Sequence, residues 1–446
     1  MRAASVPGPD PRDRTLFQLS FPLFVQSLVM FAAMALDMMI WSRHGPGTAA
    51  ALSVAGQVMR VAVEVSALLG IGAVILISQQ LGAGRRRMAE RTAETACLAN
   101  GALGLALGAA LALAGPQVLR LMTLEAEIEA DAALFLRWAG GATVFLCFGN
   151  AAVAVLRAFG RSRLVMALGG IGAVGYLALE YLLVLGAGPI PALGAEGAGI
   201  AHLTLRALVA AALAAILVRG MGLRLRLRAL PRRLGLARRM AALAAPSVSD
   251  FIAYGVYQMV LLGVIATEGE VAVLARAYVM IAMSFLTLTI MAIVQGCEVL
   301  IGYRLGAGDP EAARRQGLRG AVIAAALSSG CAVVIWLASD LFLGLFSDDP
   351  QVHALGGRLL ALTILLQPCF AVNMVLFHAL RAVEDVRWPV LVSQALSWGL
   401  GLPLAWALCA PAGWGVEGVW LAFLVEELAK ALAMLHRWTA RRGRPA

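Results

Sequence analysis

The chain has 446 residues, 61% of them hydrophobic, with a mean hydropathy of +0.83 and a formal net charge of +10. A soluble domain is nearer half apolar, so a soluble enzyme or binding module is excluded. Apolar runs of about 20 residues recur from Phe17 to Trp438, each long enough to cross ~30 Å of hydrocarbon as a helix, and they lack the period-two alternation of a β-barrel.

In chain order, residues 1–16 come first. They are polar, carry Pro7, Pro9 and Pro11, and lack the apolar stretch and cleavage site of a secretory signal. Twelve membrane helices are then predicted near 17–41, 51–81, 93–115, 131–158, 164–188, 195–218, 240–266, 273–303, 317–346, 354–381, 388–410 and 415–437. The even-numbered loops are basic: Arg85, Arg86, Arg87 and Arg91, then Arg161 and Arg163, later Arg304, Arg314, Arg315 and Arg319, then Arg387. The odd-numbered loops are acidic or sparse, with Glu125, Glu127 and Glu129 in one and Asp348 and Asp349 in another. Positive loops stay in the cytoplasm, which places both termini there, and an even helix count agrees. The charge is thus topological, and no nucleic-acid partner is expected. The Arg-rich stretch 219–239 reads as an anchor on anionic lipid.

The second half repeats the first. Leu81-Gly82-Ala83-Gly84 recurs as Leu305-Gly306-Ala307-Gly308, Leu156-Arg157-Ala158 as Leu380-Arg381-Ala382, and Phe21-Pro22 as Ala245-Pro246, each pair 224 residues apart. Gly194-Ala195-Glu196-Gly197 and Gly415-Val416-Glu417-Gly418 follow at 221. Six helices per half keep the same orientation, so the repeat is parallel, about an axis along the membrane normal. The expected architecture is an all-α polytopic membrane protein of twelve helices in two six-helix lobes, 17–218 and 240–437. A basic linker, 219–239, joins the lobes, and the tails are 1–16 and 438–446. Duplicated membrane halves are the usual build of an alternating-access transporter, with substrate handled where the halves meet.

Charges within spans are the candidate functional groups, because each costs about 2.5–3.5 kcal/mol at a helix centre. Asp37 shares the first helix with Pro22, a proline that removes one backbone bond and allows a bend. Glu180 lies well inside the fifth helix. Arg60 and Glu64, four residues apart, read as an ion pair. Asp250, one turn after Pro246, is a second-half acid. Glu298 lies five residues before the Tyr303-Arg304 membrane exit, within snorkelling reach. Glu426 and Glu427 read as local partners of Lys430. Met30, Met34, Tyr254, Tyr257, Met259 and Met283 are candidate walls for hydrophobic cations, through soft sulfur and aromatic faces.

Other patterns carry little. Gly170-Ile171-Gly172-Ala173-Val174-Gly175 follows no strand and reads as close helix packing. Six scattered cysteines read as small core residues, and five histidines lack metal spacing. No phosphate-binding loop or convergent catalytic set is present, so an enzyme is not expected.

Proline early in helix 1, Leu36-Asp37-Met38-Met39-Ile40, and Ile77-Ser78-Gln79-Gln80-Leu81-Gly82-Ala83-Gly84 resemble the multidrug and toxic compound extrusion (MATE) transporters, in particular their DinF-like branch for Glu298 before Gly302. Leu156-Arg157-Ala158-Phe159-Gly160, Gly401-Leu402-Pro403-Leu404-Ala405-Trp406 and Gly418-Val419-Trp420-Leu421-Ala422-Phe423 extend the likeness over almost the whole chain. The resemblance implies export of organic, often cationic compounds in exchange for H⁺ or Na⁺, with no other cofactor. It assigns ion coupling to Asp37 and Glu180, with Gln57 and Tyr181 as neighbours. Where many members carry acids in the second lobe, this chain has Tyr254 and Phe370, so the first lobe is favoured. Asp250, Glu298, Glu64 and Arg60 are secondary candidates, and Pro22 is the hinge. The protein is expected as a monomer in the bacterial inner membrane. A flippase for lipid-linked intermediates or polysaccharide is the alternative.

Overall fold

The computed structural model describes residues 15–122, 124–186 and 191–440. The tail calls at 1–14 and 441–446, with Arg441, Arg442 and Arg444, lie outside the described residues. Helices account for all twelve predicted spans. They are α1 (Leu16–His44), α2 (Pro46–Ser66), α3 (Leu68–Gly82), α4 (Arg86–Arg120), α5 (Ala126–Ala158), α6 (Ser162–Val184), α7 (Gly194–Ala215) and α8 (Leu234–Ala266). They continue as α9 (Glu270–Gly306), α10 (Pro310–Leu337), α11 (Ser339–Leu343), α12 (Pro350–Ala382), α13 (Arg387–Leu396), α14 (Leu402–Cys409) and α15 (Gly415–Ala440). Among the described residues, eleven helical segments are long and apolar enough to cross a membrane. The twelfth, α15, has the length but carries Glu426, Glu427 and Lys430 in its middle.

The second predicted span is interrupted at Ala67, between α2 and α3. The Ser66 carbonyl freed there accepts from Asn100 Nδ2 at 2.7 Å, and Ser66 Oγ accepts from Asn150 Nδ2 at 2.6 Å. The Asn100 amide from α4 thus satisfies a backbone group that bare hydrocarbon would leave unpaired, and Asn150 from α5 holds the Ser66 hydroxyl beside it. The eleventh span is also split: five residues of π-helix, Ser397–Gly401, join α13 to α14 just before Pro403, which has no N–H to continue the ladder.

The repeated motifs are helix stops. Gly84 N–H donates to Leu81 O and Arg85 N–H to Gln80 O. The second copy has Gly308 to Leu305 O and Asp309 to Arg304 O. These are Schellman closures, with glycines at φ 72° and 80° in the left-handed position. The other repeated stop uses Gly160 at φ 72°, and its counterpart is Glu384 at φ 64°.

The chain divides into two compact units, residues 21–244 and residues 245 onward together with 15–20. Helices α1 and α8 thus change unit at Phe21 and Ala245, each one residue before a proline, Pro22 or Pro246. The first unit therefore runs through the basic linker. That linker holds 3₁₀ turns at Leu227–Ala229 and Pro231–Arg233, and Arg238 and Arg239 already lie on α8. Within this unit α4 and α5 cross backbone to backbone. A Cβ on Gly140 would lie 2.7 Å from Gly108 O, and one on Gly108 would strike Gly140 O. The second unit has its own core around Tyr257, Leu261, Leu359 and Trp420. Large apolar side chains such as Leu113, Ile171 and Leu337 are left exposed, as a lipid-facing surface requires.

Candidate functional site

In the first unit, α1 and α6 each present an i, i+4 pair. Asp37 and Trp41 lie on one face of α1, and Tyr176 and Glu180 on one face of α6. Glu180 is completely buried. Its Oε1 accepts from Trp41 Nε1 at 2.9 Å and from Tyr176 Oη at 2.8 Å. Its Oε2 is buried without a partner, as is Oδ1 of Asp37. The Asp37 and Glu180 carboxyl groups are near neighbours that act directly on one another. From α7, His202 packs edge-on against Tyr176, with ring centroids 5.9 Å apart, and its Nε2 has no partner. Two carboxylates so placed repel if both are ionised, and one proton or one monovalent cation between them removes the repulsion.

The structure therefore brings Asp37 and Glu180 together. Gln57, Tyr181, Met30 and Met34 are exposed on α2, α6 and α1, and none bonds to the pair. Arg60 and Glu64 do not close the expected ion pair within 4 Å: Arg60 is exposed on α2, and Glu64 feels its charge without a direct contact.

In the second unit, Glu298 does not snorkel. It is buried on α9 and held by Arg381 of α12 through Nε at 3.0 Å and Nη2 at 3.2 Å. A fork-shaped guanidinium on both carboxylate oxygens makes the pair a tie between α9 and α12. Asp250 accepts from Gln394 Nε2 at 2.7 Å, across from α8 to α13. Tyr257 is not a wall residue either. It is fully buried and its hydroxyl donates to Glu426 Oε2. Tyr254 and Met283 line a small cavity of about 20 Å³, room for about one water, shared with Gln258, Phe370, Glu426 and Glu427. Met259 is exposed.

The pairing of Glu426 and Glu427 with Lys430 is present, at 2.6 and 3.1 Å, and all three residues are buried. Ser397 Oγ donates to Glu426 Oε1 at 2.7 Å and Asn373 Nδ2 to Glu427 Oε2 at 2.8 Å, so the triad ties α15 to α12 and to the π-helical turn. Gly401 leaves the space that Glu426 fills. Sequence reasoning missed Trp41, Tyr176 and His202. The matching i, i+4 spacing of Asp37–Trp41 and Tyr176–Glu180 was the available signal.

A duplicated, all-helical protein with carboxylates buried inside its spans has the build of a membrane transporter. The MatE family model matches the chain twice, over residues 22–182 and 246–407, which begin at Pro22 and Pro246 and reproduce the internal repeat. The chain belongs to the MatE family. It is 27% identical over 435 residues to an uncharacterized transporter, YisQ, of Bacillus subtilis, covering 97% of this chain and 95% of that one. It is 32% identical over 295 residues to the multidrug resistance protein NorM of Burkholderia vietnamiensis, covering 64% and 62%. Its fold matches a MOP superfamily transporter from Pyrococcus furiosus with a TM-score of 0.87 at 18% identity, covering 98% of this chain and 96% of that one.

Proposed function

We propose that this transporter is a multidrug exporter that exchanges organic cations for H⁺ at the Asp37–Glu180 pair. The observation that carries the reading is the facing of two carboxyls from α1 and α6, each with one buried, unpartnered oxygen. Two free oxygens suit one proton, whereas a hard metal cation takes about six oxygen ligands. Full-length relatives named as probable multidrug resistance proteins, such as the Geobacillus kaustophilus NorM at 26% identity, favour drug export over the flippase reading.

With the pair ionised, the negative charge attracts a substrate cation. Protonation from outside neutralises it and releases the substrate outward. Pro22, where α1 changes unit, is the hinge in this account. One charge moving down 100 mV yields roughly 2.3 kcal/mol, enough for about fifty-fold concentration. We place the protein in a bacterial inner membrane with both termini cytoplasmic, acting as a monomer.

Proteoliposomes test the reading by following an ethidium-like cation under a pH gradient and then under a Na⁺ gradient. Transport under the pH gradient alone, lost in Asp37→Asn, is the expected result. Transport under Na⁺ alone refutes proton coupling, and unchanged export in Asp37→Asn refutes the site.

A further inference from the structure

The arginines of the central linker do more than set topology. The linker folds back on α4, where buried Glu94 holds it twice: Oε1 accepts from the Arg224 backbone N–H and Oε2 from Arg233 Nη1, both at 2.7 Å. The fold-back borders an open cavity of about 1000 Å³ lined by Arg91, Arg226, Arg228, Arg232 and Arg233. Glu94 pairs with Arg233. The other four arginines have no acidic partner among the described residues. The walls between them are mixed, with apolar Met88, Leu225 and Leu236 beside polar Gln80 and Thr92.

A second feature adjoins the first. Leu227 lines this cavity and also an apolar groove of about 410 Å³ between α4, α5 and α7. Along α4, Met88, Arg91 and Thr92 line the basic cavity, and Cys97, Leu98, Gly101 and Leu105 line the groove that follows. At 1.5 Å per residue the groove runs about 12 Å along the helix, inward from the basic end. Phe148 and Ala211 supply its other walls.

We infer that this composite pocket binds an anionic glycerophospholipid, the phosphate headgroup among the arginines and an acyl chain in the α4–α5–α7 groove. Guanidinium forks match phosphate oxygens two at a time, which suits this wall of arginine with no lysine. A free phosphate would use the arginines and leave the groove without a role. The site lies within the first unit and shares no residue with the Asp37–Glu180 pair.

The purified full chain in neutral detergent tests the inference, with affinity read from thermal-shift titrations. Phosphatidylglycerol, phosphatidylcholine and inorganic pyrophosphate are the probes. Phosphatidylglycerol should bind at least tenfold more tightly than phosphatidylcholine. Each surface arginine contributes about fivefold, so the triple variant Arg226→Gln/Arg228→Gln/Arg232→Gln should lose on the order of a hundredfold. If that variant does not fold, Arg228→Gln alone should still lose about fivefold. Ala211→Phe should fill the groove and weaken the lipid without weakening pyrophosphate. Equal binding of the two lipids overturns the inference. Pyrophosphate binding as tightly as phosphatidylglycerol, with Ala211→Phe inert, shows a free-phosphate site and overturns the lipid assignment.

Discussion

Arg381→Met leaves the Glu298 carboxylate buried without its fork. The native pair makes two charge-assisted bonds, at 3.0 and 3.2 Å, with both side chains under a tenth exposed. Each such bond contributes about 1.5–3 kcal/mol, and removing one partner of a buried pair costs about 3–5 kcal/mol. Stability of that order is a large fraction of what any fold has, so the single variant should unfold at a markedly lower temperature in detergent. Replacing both partners, Glu298→Leu with Arg381→Met, removes the stranded charge and should recover most of the loss, with a coupling energy of about 2–3 kcal/mol in the double-mutant cycle. The double variant should also keep the proposed proton-coupled export, because the pair is a tie between α9 and α12. A single variant that loses less than about 1 kcal/mol refutes the structural argument. So does a double variant as unstable as the single. Loss of coupling in a stable double variant would return Glu298 to the coupling site.

Two further substitutions follow from backbone geometry. Gly308→Ala places a Cβ on a residue held at φ 80° and should lower stability by about 1 kcal/mol, read as a lower melting temperature; an unchanged one refutes the strain. Gly108→Leu forces α4 off α5 at Gly140 and should lower both melting temperature and folded yield, while Gly170→Leu, which faces open space, should change neither.

Much of this architecture is written locally and so is readable from the chain. Apolar runs gave the spans, and the 224-residue offset gave the duplication, because a Schellman stop needs its glycine at a fixed place in both copies. Asp37 and Glu180 stood out as acids inside spans. Their partners did not: Trp41 reaches Glu180 across 139 residues, and Arg381 reaches Glu298 across 83. Such distances are set by packing, which periodicity does not encode. The break at Ala67 was hidden for the same reason, since Asn100, which satisfies its freed carbonyl, lies on another helix. Lys430 was read correctly as a local partner, yet its burial depends on Ser397, Asn373 and the space at Gly401.

Proton counting tests the exchange at Asp37 and Glu180 most directly. The detergent-purified protein, in weakly buffered solution, is mixed with an ethidium-like cation while the pH is recorded. Wild type should release about one proton per bound cation, and Asp37→Asn and Glu180→Gln should each release none, since neither leaves a carboxyl pair to share one proton. A wild type that binds the cation without releasing protons, or variants that release as many as wild type, would contradict the account.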